Sequence, residues 1–315
     1  MTGITTLQNF SSVEVFVLSR LKRLLTTTPS GRLLLMPHRA WLAIRSCSQP
    51  FFQIPRWLFS SREITSFTYT YEEMGAIEAC HLVANITQTP FARVNSYRHE
   101  FMKDTELKEI VQARTANSAH RWTSDGDLRQ GRHLLNYLLV RTMKPRTIVE
   151  AGVLKGLGAL VSCRALSRNA AEGSQGHYFG VDIHEPERAF LFGPPEAARG
   201  ELVHMDIAPF LRQSEEPIDL YIHDTIPADD HVQEIISALR PRLATGSIVM
   251  ASWTTLLLLN SFEEVAQIFS FSEKLSNHWY RGRSIFLAKL QNRDYTPPQH
   301  CPLENHTTCN AIKSH

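Results

Sequence analysis

The spacing of apolar residues changes character near residue 127. Before it, the pattern is helical: Val13, Phe16, Val17, Leu21, Leu24 and Leu25 fall on one face, with Arg20, Lys22 and Arg23 off it. Two further helices are expected over Tyr71–Ile86 and Asp104–Thr115, each starting near acidic or capping residues. Between the first helix and these lies the aromatic stretch Ser48–Ser61, punctuated by Pro50 and Pro55 and read as a loop. After residue 127 an amphipathic helix covers Leu128–Met143, and short apolar runs follow. These are Arg146–Gly152, His177–Ile183, Gly200–Asp206, Ile218–Asp224, Gly246–Ser252 and Arg283–Leu290. Helical patterns over Lys155–Arg168, Pro209–Gln213, Asp229–Leu243 and Phe262–Phe269 separate most of them. Nearly continuous apolar strands alternating with helices predict an α/β fold with a parallel sheet covered on both faces. The expected organisation is a helical cap or lid over residues 1–125, an α/β domain over 126–292, and a tail over 293–315.

Several of the strands end at acids. Glu150, Asp182, Asp206 and Asp224 would share one rim, beyond which an open α/β sheet binds its ligand. The first strand runs into the turn TIVEAGVLKGLGAL, with the spacing E-x-G-x-x-x-G-x-G set by Glu150, Gly152, Gly156 and Gly158. A dinucleotide fingerprint fails here: Leu154 stands where its second glycine belongs, and from Gly156 the third glycine position is Val161. A phosphate loop fails too, because no Gly-Lys-Ser/Thr occurs in the turn.

The spacing that is present resembles motif I of class I S-adenosylmethionine-dependent methyltransferases. GVDI resembles their second-strand motif, HMDIAPF the third-strand segment, IDLYIHD the fourth-strand motif, and NHWYRGRSIFLAKL the final antiparallel hairpin. The likeness runs from about Gly126 to Leu290, and a bacterial branch near natural-product pathways shares the layout with its helical N-terminal extension. The resemblance implies a Rossmann-like seven-stranded sheet and S-adenosyl-L-methionine as cofactor. It implies that Asp182 holds the ribose hydroxyls and that Asp206 and the backbone N–H of Ile207 meet the adenine. The residue chemistry suits this: a carboxylate matches a diol, and Glu150 can offset an ammonium. Glycines at 152, 156 and 158 would remove Cβ atoms where the amino-acid end of the cofactor crosses the turn.

At the reaction centre the candidates are His223 and Asp224, with strand alternation turning one of the two into the sheet packing. His231, Trp253, His278 and Tyr280 are further candidates. Ala251 and Ser252 stand where a metal-binding relative would carry an acidic partner, so no metal is expected. The expected reaction is methylation of a small-molecule, secondary-metabolite-type acceptor. Polar Asn136, beside Tyr137 in the apolar run HLLNYLLV, raises an alternative. A neutral amide facing the methionine end would suit attack by the cofactor's own amine on its γ-carbon, releasing methylthioadenosine and an azetidine-2-carboxylate-type product. A catalytically silent scaffold is the third reading.

Composition narrows the partners. The 315 residues carry a net charge of +2, so charge alone does not make the chain a polyanion binder. Basic residues without aromatic interleaving give no nucleic-acid module. The charge is uneven, however: up to Arg62 there are eight Lys and Arg residues against the single acid Glu14. That region fits an acidic substrate, a carrier-protein surface or a membrane face. No segment reads as a membrane span. Five scattered cysteines without a CxxC pair fit neither a disulfide framework nor a zinc module and place the chain in a reducing cytoplasm, and the tail cluster His300, Cys301, His306 and Cys309 lacks zinc spacing. A homodimer is compatible with all of this.

Overall fold

The computed structural model describes residues 28–61, 63, 67–120, 131–225, 229–252, 265–276 and 278–290. The chain divides into two compact units, Met1–Ser61 and Arg62–His315. The helix expected over Val13–Leu25 lies outside the described residues, as do Trp253 and the cysteine- and histidine-bearing tail.

In the first unit, α1 (Pro29–Leu34) starts at Thr28, whose Oγ1 accepts the Gly31 N–H at 3.1 Å. Helix α2 (Met36–Ser60) then continues through Pro50 and Pro55, correcting the loop expected there. Each proline removes one N–H from the ladder, yet the last turn still closes: Ser61 N–H donates to Trp57 O at 2.9 Å and Ser60 Oγ to Arg56 O at 2.5 Å.

The second unit is built on seven strands: β1 (Thr147–Ala151), β2 (His177–Asp182), β3 (Gly200–His204), β4 (Ile218–His223), β5 (Leu243–Ser252), β6 (Val265–Ser272) and β7 (Ser284–Leu290). Their order is β3-β2-β1-β4-β5-β7-β6, parallel up to β5, with β7 antiparallel to both neighbours. This is the expected seven-stranded Rossmann-like sheet. One expectation is corrected. The helical pattern expected over Phe262–Phe269 sets Phe262, Val265, Ala266 and Phe269 at i, i+3, i+4 and i+7. From Val265 the chain is instead strand β6, paired to β7 through residues such as Phe269 opposite Leu287 and Phe271 opposite Ile285. Its Phe269-Ser270-Phe271-Ser272 run already carries the two-residue period of a half-covered edge strand.

The helices of this unit are α3 (Glu73–Thr87), α4 (Phe91–Met102), α5 (Thr105–Asn117), α6 (Gly131–Met143), α7 (Leu157–Ala171), α8 (Ile207–Gln213) and α9 (Asp229–Leu239). The sheet divides the apolar core in two. On one side Ile148, Leu220 and Ile248 pack with Leu134, Leu138 and Leu160 of α6 and α7. On the other, Val149, Tyr221 and Val249 pack with Leu211, Ile235 and Leu239 of α8 and α9. Alternation along β1 sends Ile148 one way and Val149 the other, and all five residues of the strand are buried. Helices α3 to α5 belong to this unit, with α3 packed on α4, α6 and β6. A polar cluster ties α4 to the domain: Arg141, 1% exposed, meets Glu100 of α4 at 2.8 Å and the half-exposed Glu172 at 2.5 Å. The expected boundaries at residues 125 and 293 lie outside the described residues.

Candidate active site

A cavity of about 850 Å³ opens beyond the carboxyl ends of β1, β2 and β4. The turn after β1 forms one wall, from Gly152 to Lys155 and on to Leu157 and Gly158. Asp182 to His184 follow from β2, and Asp224 and Thr225 from β4. The rest of the lining comes from the start of α6 (Gly131, Arg132, His133), from Phe67 to Tyr69, and from Tyr280 and Gly282 to Ser284. The location is the one the sheet topology dictates, and the volume is that of a small-molecule site.

The turn is held by the protein's own atoms. Gly152 has φ +86°, and a Cβ there would stand 2.7 Å from the Asp224 carbonyl oxygen. Gly156, φ +84°, caps α7, where a Cβ would stand 2.9 Å from the Ala189 carbonyl oxygen. At Gly158 the Cβ would meet Glu150 Oε1 at 2.5 Å. The spaces these glycines leave are therefore filled by the backbone and by Glu150, rather than left open for a ligand.

Asp182 organises the same turn. Its Oδ2 accepts the N–H groups of Val153 at 2.8 Å and Leu154 at 3.0 Å, and its Oδ1 accepts that of His184 at 2.9 Å. Burial opposes its ionisation, but these three hydrogen bonds outweigh burial and hold the carboxyl below its ordinary pKa. A carboxylate oxygen accepts about two hydrogen bonds, so Oδ1 keeps one acceptor position for a ligand hydroxyl.

Behind the turn sits Glu150, only 1% exposed. Tyr178 donates to its Oε2 at 2.6 Å, and Arg132 Nη2 lies 3.7 Å from Oε1. Burial pushes its pKa up to about 7, against the opposing pull of Arg132 and the Tyr178 hydrogen bond. Asp224 is held differently. The guanidiniums of Arg132 and Arg283 meet on its Oδ1, the latter at 3.2 Å. His223 turns away from the cavity, 2% exposed, with its ring between the Tyr221 hydroxyl and Thr225 Oγ1, each at 3.0 Å. Burial lowers its pKa to about 4, so the ring is neutral.

The site residues expected from the sequence are thus brought together only in part. Gly152, Gly158, Asp182 and Asp224 line the cavity, and so does Tyr280, while Glu150, Gly156 and His223 stand behind its wall. Asp206 and Ile207 are not among the lining residues. Asp206 caps α8 by accepting the Ala208 N–H at 2.9 Å and meets His231 Nε2 at 3.2 Å, and Ile207 is buried in the core. The Tyr137 hydroxyl donates to Glu100 at 2.5 Å, in the polar cluster around Arg141. Asn136 is fully buried, one turn below Arg132 and His133 on the same side of α6, and neither end of its amide has a hydrogen-bond partner. His278 packs among the rings of Phe67, Tyr69 and Trp279.

Arg132, His133, Lys155 and Arg283 line the cavity and were not singled out in the sequence. One signal was available. Arg132 and His133 open an apolar helix at its N-terminus, where the helix dipole disfavours cations. Such a placement calls for carboxylates nearby, and Asp224 and Glu150 provide them. His133 is kept neutral, its pKa well below the ordinary value, by burial and by Arg132, Lys155 and Arg283. Its Nδ1 is buried without a hydrogen-bond partner.

Two guanidiniums meet on Asp224, and their charge disfavours a divalent cation beside it. These surroundings fit S-adenosylmethionine better. Asp182 offers an acceptor for a hydroxyl, and the same cavity is lined by Asp224.

Residues 149–251 match the family model described as a methyltransferase domain. The match runs from β1 to the end of β5 and includes the glycine turn, Asp182 and Asp224. The matched residues are similar to a methyltransferase domain, and the strand order they belong to is the Rossmann-like one. No curated protein matches the chain. Similar solved structures include an O-methyltransferase from Bacillus cereus in complex with SAH, at 16% identity over 60% of this chain and 92% of that one, with a TM-score of 0.44. The O-methyltransferase TomG from Streptomyces achromogenes, involved in tomaymycin synthesis and in complex with SAM, shows 19% identity over 60% and 91%, with a TM-score of 0.44. A methyltransferase from Geobacter sulfurreducens shows 18% identity over 64% and 96%, with a TM-score of 0.43. Likenesses this distant carry no argument about what this chain acts on.

Proposed function

We propose that the enzyme methylates a small-molecule acceptor bearing a hydroxyl, without a metal. The observation that carries this reading is a single cavity lined both by Asp182 with the turn and by the Arg132–Asp224–Arg283 cluster. Asp182 Oδ1 takes a ribose hydroxyl. When bound, S-adenosylmethionine supplies an already electrophilic methyl group, so the protein's main task is to align the acceptor. Asp224 and its two arginines orient the acceptor. His133, neutral and with Nδ1 unpartnered, accepts a hydrogen bond from the acceptor hydroxyl. The cations around it disfavour a protonated imidazole, so the hydroxyl's proton passes to solvent as the methyl leaves the sulfonium, giving the methyl ether and S-adenosylhomocysteine.

A second reading rests on Asn136. Its unpartnered amide, one turn below the cavity residues of α6, would receive the amine of the methionine end if that end reached it, favouring intramolecular cyclisation of the cofactor's aminocarboxypropyl arm. One incubation separates the readings. With S-adenosylmethionine and a panel of phenolic acceptors, methyl transfer yields S-adenosylhomocysteine only when an acceptor is present. Methylthioadenosine formed from S-adenosylmethionine alone would replace it with the second reading. Binding without either product would leave the scaffold role.

A further inference from the structure

Helix α2 turns large apolar side chains to solvent. Met36, Trp41, Ile54, Leu58 and Phe59 are all exposed, Phe59 at 91%. The helical period sorts them. Met36 and Ile54 lie about five turns apart at 3.6 residues per turn, and so do Trp41 and Phe59, so each pair returns to one azimuth. With Leu58 between them, the five residues span an arc of roughly 140°, the width of an apolar stripe that normally needs cover. His38, Arg39 and Arg56 fall outside this arc and are exposed as well. Between Thr28 and Arg62 the chain has no Asp or Glu, and it carries Arg32, Arg39, Arg45, Arg56 and Arg62.

An exposed apolar arc with Trp and Phe, bordered by arginines and free of acids, is the make-up of a helix that lies in a lipid interface. We propose that α2 binds the surface of an anionic membrane, its apolar side at the level of the lipid headgroups and its arginines on the lipid phosphates. Charge decides the occupant. A second copy of this chain would bring the same cationic helix and be repelled, whereas an anionic bilayer supplies the missing negative charge and the apolar cover together. No described helix is long and apolar enough to cross a membrane, so α2 would lie on the surface. The inference is independent of the reaction at the cavity.

The test is sedimentation of the full chain with vesicles of phosphatidylcholine alone or mixed with phosphatidylserine. Binding to the anionic vesicles should exceed binding to the neutral ones by at least about tenfold and fall with added salt. The double variant Arg39→Glu/Arg56→Glu should abolish the preference. Trp41→Glu/Phe59→Glu should lower binding to the anionic vesicles by about tenfold or more. Both variants change exposed positions, so an unchanged circular dichroism spectrum and unchanged S-adenosylhomocysteine affinity establish that the fold is kept. Absence of binding to the anionic vesicles overturns the proposal, and so does equal binding to both vesicle types. A dimer in light scattering that Trp41→Glu/Phe59→Glu dissociates, with no vesicle binding, would assign the face to a second copy instead.

Discussion

Asp182 and Asp224 end the two strands that flank β1, and both line the cavity, yet they are fixed by opposite means. Asp182 is held by three main-chain N–H groups, two of them from the turn it stabilises. Asp224 is held by two arginine side chains from distant parts of the chain, the tip of α6 and the segment before β7. A carboxylate set by the backbone belongs to the fold and cannot be moved without disturbing the turn. A carboxylate set by side chains can be re-aimed by a single substitution. The first suits a part of the ligand that every member of a fold must bind, the second a part that varies.

The difference can be broken at each end. Asp182→Ala should remove the shared acceptor of three N–H groups and cost about 3–5 kcal/mol, seen as a fall of roughly 10 °C in calorimetric Tm. A shift within a degree would mean that the turn holds itself. Glu150 supplies a pH signature for the wall behind the turn. Its folded pKa of about 7 lies above the ordinary 4.5, so the fold prefers the protonated form. Stability should be full below about pH 4.5 and decline as the pH rises through 7, by no more than ~3 kcal/mol. Glu150→Gln should flatten that slope in pH-dependent thermal unfolding, and a slope unchanged in the variant would assign it to another group. Gly158→Ala forces a Cβ against the same carboxylate and should cost about 1–3 kcal/mol in urea unfolding, and less in a Glu150→Gln background. Arg283→Gln should have the smallest effect, under about 1 kcal/mol, because its side chain is 42% exposed and Arg132 remains on Asp224. A large Tm loss in Arg283→Gln would show that both acids are equally built into the fold.

What the sequence made legible follows the range of the forces involved. The parallel strands were readable because a strand buried on both faces must be apolar almost throughout, as Ile148 to Ala151 are. The glycine turn and Asp182 were readable because their partners lie close in a strand–turn–helix unit of fixed spacing. Strand β6 was missed because Phe262, Val265, Ala266 and Phe269 imitate a helical face that competes with the Phe269–Ser272 alternation, and its pairing with β7 decides between them. Helix α2 was missed because prolines at 50 and 55 usually end a helix, although each removes only one ladder bond. The arginines on Asp224 were hidden by distance along the chain. Arg283 is 59 residues away, and nothing local to it names a partner. Asp206 drew attention by its place after β3, where the same residue type also makes a good helix cap, and here it caps α8.

The central claim is that S-adenosylmethionine binds on the turn after β1 with its ribose on Asp182. Calorimetric titration of S-adenosylhomocysteine into the wild type and into Asp182→Asn tests it most directly, since the amide keeps the side chain's size while weakening its acceptor strength. The account predicts one-site binding to the wild type and affinity at least about tenfold lower in the variant. Equal affinity in the two proteins, or no binding to the wild type, would contradict it.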